Sequence, residues 1–186
     1  MFNREIRIPG FLHELHGERA SVGSIVLVYS AGLAAAAAYA WELTRMGLVP
    51  WKIMLGCAIM FDVAGGIVAN LSTSTNHYYR NRPGMRKVFL LLHFLQPLAL
   101  YFVFPDEGVF LGVVYVFTIA SSLIVDSIRR VEVPQNAAAF LLVLGLAGSM
   151  LMSPGSVVVF VFAPLFMVKL ITGFSVRRPS FLEKGV

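Results

Sequence analysis

Several residue types are scarce in this chain, and each scarcity excludes something. There is one cysteine, Cys57, in 186 residues. An intrachain disulfide and a paired C-x-x-C site are therefore impossible. Charged residues reach only 13%, where a soluble domain carries about 25%. There is no P-loop, no G-x-S-x-G elbow and no H-E-x-x-H helix, so no strong motif announces a reaction. What is abundant is apolar: 58% hydrophobic residues and a mean hydropathy of +0.77. That balance rules out disorder, a collagen-like fibre and a disulfide scaffold. It argues against a water-soluble globule. The expectation is an all-α integral membrane protein with almost nothing outside the bilayer.

A bilayer core of about 30 Å needs about 20 mostly apolar residues per helix. Six runs qualify: Val22–Trp41, Leu48–Leu71, Lys87–Phe104, Gly108–Ile128, Asn136–Met152 and Gly155–Thr172. Pro50, the Asn81–Gly84 stretch, the Pro105–Gly108 turn, Pro134 and the Ser153–Gly155 turn punctuate them as helix stops and starts. The chain thus reads as a six-helix bundle with short loops over 22–172, an interfacial N-terminal segment over 1–21 and a tail over 173–186. The last two runs are short and share a tight turn, which calls for a close hairpin or partly re-entrant helices. Ala38-Tyr39-Ala40 resembles a signal cleavage site. The segment before the first run is long and holds Glu5, Glu14 and Glu18, so a retained first span is expected.

The net charge of +5 has a membrane explanation. Thirteen of the fifteen Lys and Arg fall on one side of the six-run scheme, counting Arg86 and Lys169, and only Arg45 and Lys52 on the other. The positive-inside rule then puts both termini in the cytoplasm, in an inner or plasma membrane, and no nucleic-acid partner is called for. Phe11, Leu12 and Leu15 share one helical face, so an amphipathic helix lying on the membrane is expected before the first span. The Ala34–Ala38 run with Gly32, and Gly145 with Gly148, give smooth faces for close helix packing or homo-oligomerisation.

Ionisable residues inside membrane helices are costly and mark function by default. Asp62 lies near the middle of the second run. At 100° per residue, Asp62, Gly66, Asn70, Thr73 and His77 fall within about 80° of one another, a continuous stripe if the helix continues. The third run carries His93, Gln96 and Pro97. Lacking an N–H, Pro97 is expected to free the carbonyl of His93. On the fourth run Thr118, Ser122, Asp126 and Arg129 share a face, and Asp126 is expected to pair with Arg129 or Arg130. These groups and all four histidines lie at mid-membrane or toward the cytoplasmic side, so the second, third and fourth runs are expected to enclose one polar pocket.

Asp62 is the candidate general acid, because a carboxyl out of water favours its proton-carrying form. His93 is its expected partner base, and Asp126 completes the catalytic set. Gly66, Asn70, Thr73, His77, Gln96 and Ser122 are the candidate substrate-binding residues. The first reading is a small membrane-embedded isomerase, cyclase or hydrolase acting on a lipid or other apolar or amphipathic substrate. The second is a small-solute transporter, or a substrate-binding membrane subunit, with Asp/His proton coupling. The third is a structural subunit using its small-residue faces. His13-x-x-His16 with His77, His93 and a carboxylate has the makings of a zinc site, but the first pair sits on a surface segment, so no metal or other cofactor is assigned. If Asp62 carries a proton, Asp62→Asn is expected to leave the fold intact or firmer and to abolish activity.

Overall fold

The computed structural model describes residues 4–80, 82–128, 133–152 and 154–177. Short strands β1 (Glu5–Arg7) and β2 (Arg19–Ser21) form an antiparallel pair around the single turn α1 (His13–His16). The helices that follow are α2 (Val22–Arg45), α3 (Pro50–Leu71), α4 (Thr73–Arg80), α5 (Pro83–Leu92), α6 (Leu95–Val103), α7 (Gly108–Ser127), α8 (Val133–Met152) and α9 (Val157–Met167). A π-helical segment, Val168–Phe174, continues α9. Six stretches are long and apolar enough to cross a membrane: Val22–Arg45, Pro50–Leu71, Pro83–Val103, Pro105–Ser127, Val133–Met152 and Val157–Phe174. This is the all-α membrane bundle expected from hydropathy, with boundaries shifted by a few residues. The Ser153 turn lies outside the described residues.

The stretch expected as a short N-terminal helix is helical over 10–16, and it lies inside the β1–β2 hairpin. Gly17 closes it at φ 73°, in the left-handed region open to glycine. The hairpin docks on α4: Thr75 Oγ1 donates to Leu15 O at 2.8 Å and Ser74 Oγ to His16 O at 2.7 Å. His16 is buried, its Nε2 3.4 Å from the Tyr29 hydroxyl, and burial lowers its pKa. Phe11 stands almost fully exposed at the tip.

The sixth span is the buried centre of the bundle. Val159, Phe162, Ala163, Phe166, Leu170 and Ile171 are all shielded. The Tyr39 hydroxyl of α2 donates to the Val158 carbonyl, tying the first span to it. Close packing uses small residues, as expected for helices that cannot rely on water to drive them together. A Cβ at Gly65 would fall 3.1 Å from the Val28 carbonyl oxygen of α2, and one at Gly145 would press on Phe117 and Met167. Gly145 is thus engaged inside the bundle, whereas Gly148 and most of Ala34–Ala38 face outward. Packing of α8 against both α9 and the π segment gives the close hairpin expected of the last two spans.

Candidate functional site

Asp62 lies at the middle of α3, and its Oδ2 is the focus of the site. Lys169 Nζ, from the π segment, donates to it at 2.9 Å, and Gln96 Nε2, from α6, donates to the same oxygen. Among the described residues Oδ1 has no partner, and 54% of the Asp62 side chain is exposed, against 2% of Lys169. The pair is therefore asymmetric: a cation sealed in the bundle beneath a carboxylate turned outward. α3 packs along α6 and the π segment and makes little contact with α5, which leaves the carboxylate edge open.

The local sequence explains how Lys169 reaches so far inward. Gly66 leaves room for its stem; a Cβ there would lie 2.9 Å from Nζ and overlap Cε. Asn70 Nδ2, one turn further along α3, donates to the Lys169 carbonyl at 3.2 Å. A π-helical stretch opens the hydrogen-bond ladder and recurs at functional sites. Here it follows Pro164, which cannot donate within α9.

His93 sits where α5 ends. Its Nδ1 donates to the Phe89 carbonyl at 2.6 Å, so in the neutral ring Nε2 is the proton-accepting nitrogen. The ring packs 4.4 Å from Phe89 and 6.5 Å from Phe166, within electrostatic reach of Lys169 and Asp62. The expected free carbonyl at His93 is not there. The third span breaks at His93–Phe94 into α5 and α6, and the Gln96 N–H takes the His93 carbonyl at 3.3 Å.

The expected stripe on the second span also ends early. Ser72 leaves the helical conformation at ψ 143°, and its Oγ accepts from the Thr75 N–H at 3.3 Å, capping a new helix. The turn in the chain rotates α4 out of phase, so Thr75, Asn76 and Tyr79 face inward while Thr73 and His77 are exposed. Asp62, Gly66 and Asn70 keep their common face; Thr73 and His77 leave it.

Asp126 belongs to a second cluster. Arg86 Nε donates to its Oδ1 at 2.6 Å, and Arg177 Nη2 approaches at 3.3 Å. Arg86 Nη2 also donates to the carbonyls of Phe174 and Ser175, capping the end of the π segment, and its guanidinium lies 4.6 Å from the Phe174 ring. Arg129 and Arg130, the expected partners of Asp126, lie outside the described residues. Ser122 is fully buried on α7 with no partner among the described residues. The site is therefore built from the second, third and sixth spans, and the fourth contributes a separate cluster.

The chain matches no known protein family, no curated protein and no solved structure. The reading of the site rests on its own geometry. By their positions in the sequence, Lys169 and Arg86 are expected as surface cations; the structure buries both. Each is 2% exposed, and each holds a carboxylate. Without these two, the six-run scheme leaves eleven Lys and Arg expected on one side against two on the other. A lysine fifteen residues into an apolar run that begins at Gly155 is the signal that points to Lys169. Among the described residues no three His, Cys, Asp or Glu gather as metal ligands. His13 Nε2 bonds the Ile8 carbonyl at 2.8 Å, and His16 turns to Tyr29.

Proposed function

We propose that this chain is a small integral membrane enzyme acting on a lipid or other apolar substrate at the Asp62–Lys169 pair. The observation that carries this reading is the outward edge of one carboxylate. Oδ2 accepts from Lys169 and Gln96, while Oδ1 has no partner among the described residues on a side chain that is 54% exposed. A charge turned outward at that depth is costly unless something polar meets it. A substrate dissolved in the bilayer reaches this edge laterally, without threading the bundle.

One open carboxylate backed by a sealed cation suffices for proton relocation. Asp62 Oδ1 accepts a proton from one atom of the substrate and returns it to another, which restores the starting carboxylate. The Lys169 ammonium, 2.9 Å from Oδ2, holds the carboxylate in place from inside the bundle. Gln96 and Asn70 hold the two partners in place, and His93 Nε2 is a second base. Isomerisation and cyclisation need no more than this; hydrolysis adds a water. The test is to incubate the purified chain with a total lipid extract and follow the lipids by mass spectrometry. A component should change with the wild-type chain and not with Asp62→Asn. No change, or an equal change with both, overturns the reading.

A second reading, transport, has its own observation. The third span breaks at His93–Phe94 and the sixth passes from α-helix into π-helix, and both irregular stretches deliver site residues: His93 and Gln96 from one, Lys169 from the other. Irregular helices in corresponding positions of the two halves favour a transporter reading. Proton flux into proteoliposomes that depends on Asp62 would favour it over the enzyme. In either reading the end that gathers both termini faces the cytoplasm, because the surface Lys and Arg concentrate there. The outward Ala34–Ala38 face of α2 is the surface offered to a second copy.

A further inference from the structure

Three polar atoms lie in the apolar middle of the bundle with no protein partner among the described residues: Gln96 Oε1, Thr118 Oγ1 and Ser122 Oγ. Helix hydroxyls in apolar surroundings ordinarily bond back to the carbonyl four residues earlier. Ser149 does so to Gly145 at 2.7 Å, and Thr172 to Val168 at 2.8 Å. Thr118 and Ser122 do not, although both are completely shielded. A buried polar atom left unpartnered by protein calls for water or an ion, and internal water needs two to four polar partners.

Two contacts fix where these hydroxyls stand relative to Lys169. Phe117 and Met167 lie against the same point of α8, at Gly145. Arg177 Nη2 reaches Asp126 Oδ1 at 3.3 Å. Both contacts join residues about fifty positions apart, so α7 and the sixth span run side by side in parallel. Lys169 then falls in depth between Thr118 and Ser122. Asp126 continues the same face of α7, and its contacts with Arg86 and Arg177 show that this face meets the end of the π segment. Successive members of the row are about 6 Å apart along the helix, a gap that one water bonded to both can close.

We propose that Gln96 Oε1, Thr118 Oγ1 and Ser122 Oγ hold a short file of internal water, which carries protons between the Asp62–Lys169 pair and the Asp126 end of the bundle. The inference rests on reading that pair as a proton-moving site. Each water takes one proton and passes one on, so nothing is consumed. Thr118 and Ser122 are positioning residues that act through the water they hold. The file gives the pair access to bulk water on the side away from its outward, lipid-level edge.

The experiment reads proton exchange at Lys169 and needs no substrate. The full chain, labelled with 15N-lysine in detergent micelles, gives an ammonium signal for the buried Lys169, assigned by its loss in Lys169→Arg. Exchange of its protons with water is measured in the wild type and in Thr118→Val combined with Ser122→Ala. The expected result is exchange slowed at least tenfold, with the Lys169 chemical shift and the thermal stability retained. An unchanged rate in the folded double variant overturns the proposal, as does a wild-type ammonium that does not exchange. If the double variant does not fold, Ser122→Ala alone is judged by the same criterion. A negative turnover experiment and an unchanged exchange rate are separate failures, one of the enzyme reading and one of the water file.

Discussion

Lys169 Nζ, carried by the sixth span, lies 2.9 Å from Asp62 Oδ2 in the second. That contact changes what Asp62 is. Along α3 it is a lone acidic residue in an apolar helix; beside the sealed Lys169 it is one half of an ion pair. Sealing the Lys169 charge in the bundle is repaid only when the geometry and hydrogen bonds of its pair are good. Here Gln96 adds a donor to the carboxylate, and Asn70 holds the backbone beneath the lysine.

The first prediction concerns this pair. Asp62→Asn orphans the buried ammonium and should destabilise the chain by about 3–5 kcal/mol, the usual cost of breaking a buried pair from one side. This replaces the expectation that the variant keeps an intact or firmer fold. Adding Lys169→Met should restore much of the loss, because no buried charge is then left without its partner. Thermal unfolding in detergent of the two single variants and the double gives the coupling. Additive losses would mean that the two residues do not interact.

Gly66 should be intolerant for a specific reason. Gly66→Ala places a methyl group where the Lys169 stem runs. Overpacking of this kind costs about 1–3 kcal/mol. Lys169→Met in the same chain should relieve only part of it, since methionine keeps most of the stem, whereas Lys169→Ala should relieve nearly all. An equal penalty in every background would show that the clash lies elsewhere.

The two arginines at Asp126 should separate cleanly. Arg86→Met removes a sealed cation that caps the π segment and should cost about 3–5 kcal/mol. Arg177→Ala removes a partner that is 45% exposed, and a pair of that kind contributes about 0–1 kcal/mol. Comparable losses from both would contradict the asymmetry of the cluster.

The N-terminal hairpin should loosen in mild acid. Burial lowers the pKa of His16, so the folded chain binds fewer protons there than the unfolded chain. Stability from this group is complete above the ordinary histidine value of about 6.5 and declines as pH falls below it. The protection of the backbone amides over 5–21 against hydrogen exchange, taken relative to their intrinsic rates at each pH, should fall on going from neutral to mildly acidic pH. His16→Phe, which keeps the ring against Tyr29 without a proton, should remove that pH dependence.

Orientation can be checked directly. In a Cys57→Ser background, a cysteine at Asp106 should be labelled by an impermeant reagent from outside intact cells, and one at Gly84 should not. The reverse pattern would invert the bundle.

Much of this molecule was legible in the residues. Apolar runs are local and additive, so hydropathy and the Pro and Gly punctuation located all six spans. Asp62, Gln96, His93 and Asn70 stood out because a polar group in an apolar run costs energy wherever the run goes. Ser72 was harder. Its capping of Thr75 depends on the backbone leaving the helix there, and helical periodicity alone carried the stripe through to His77. The pairing of Asp62 with Lys169 was beyond reach, because 107 residues separate them and only the packing of the sixth span against the second joins them. A lysine near the end of a hydrophobic run reads equally as a cytoplasmic anchor or as a buried charge. Gly66 settles the matter in three dimensions by leaving the space through which the ammonium reaches a carboxylate. Local chemistry named the costly groups, and the tertiary structure chose their partners, because an ion pair forms between neighbours in space and spacing along the chain does not encode which helices become neighbours.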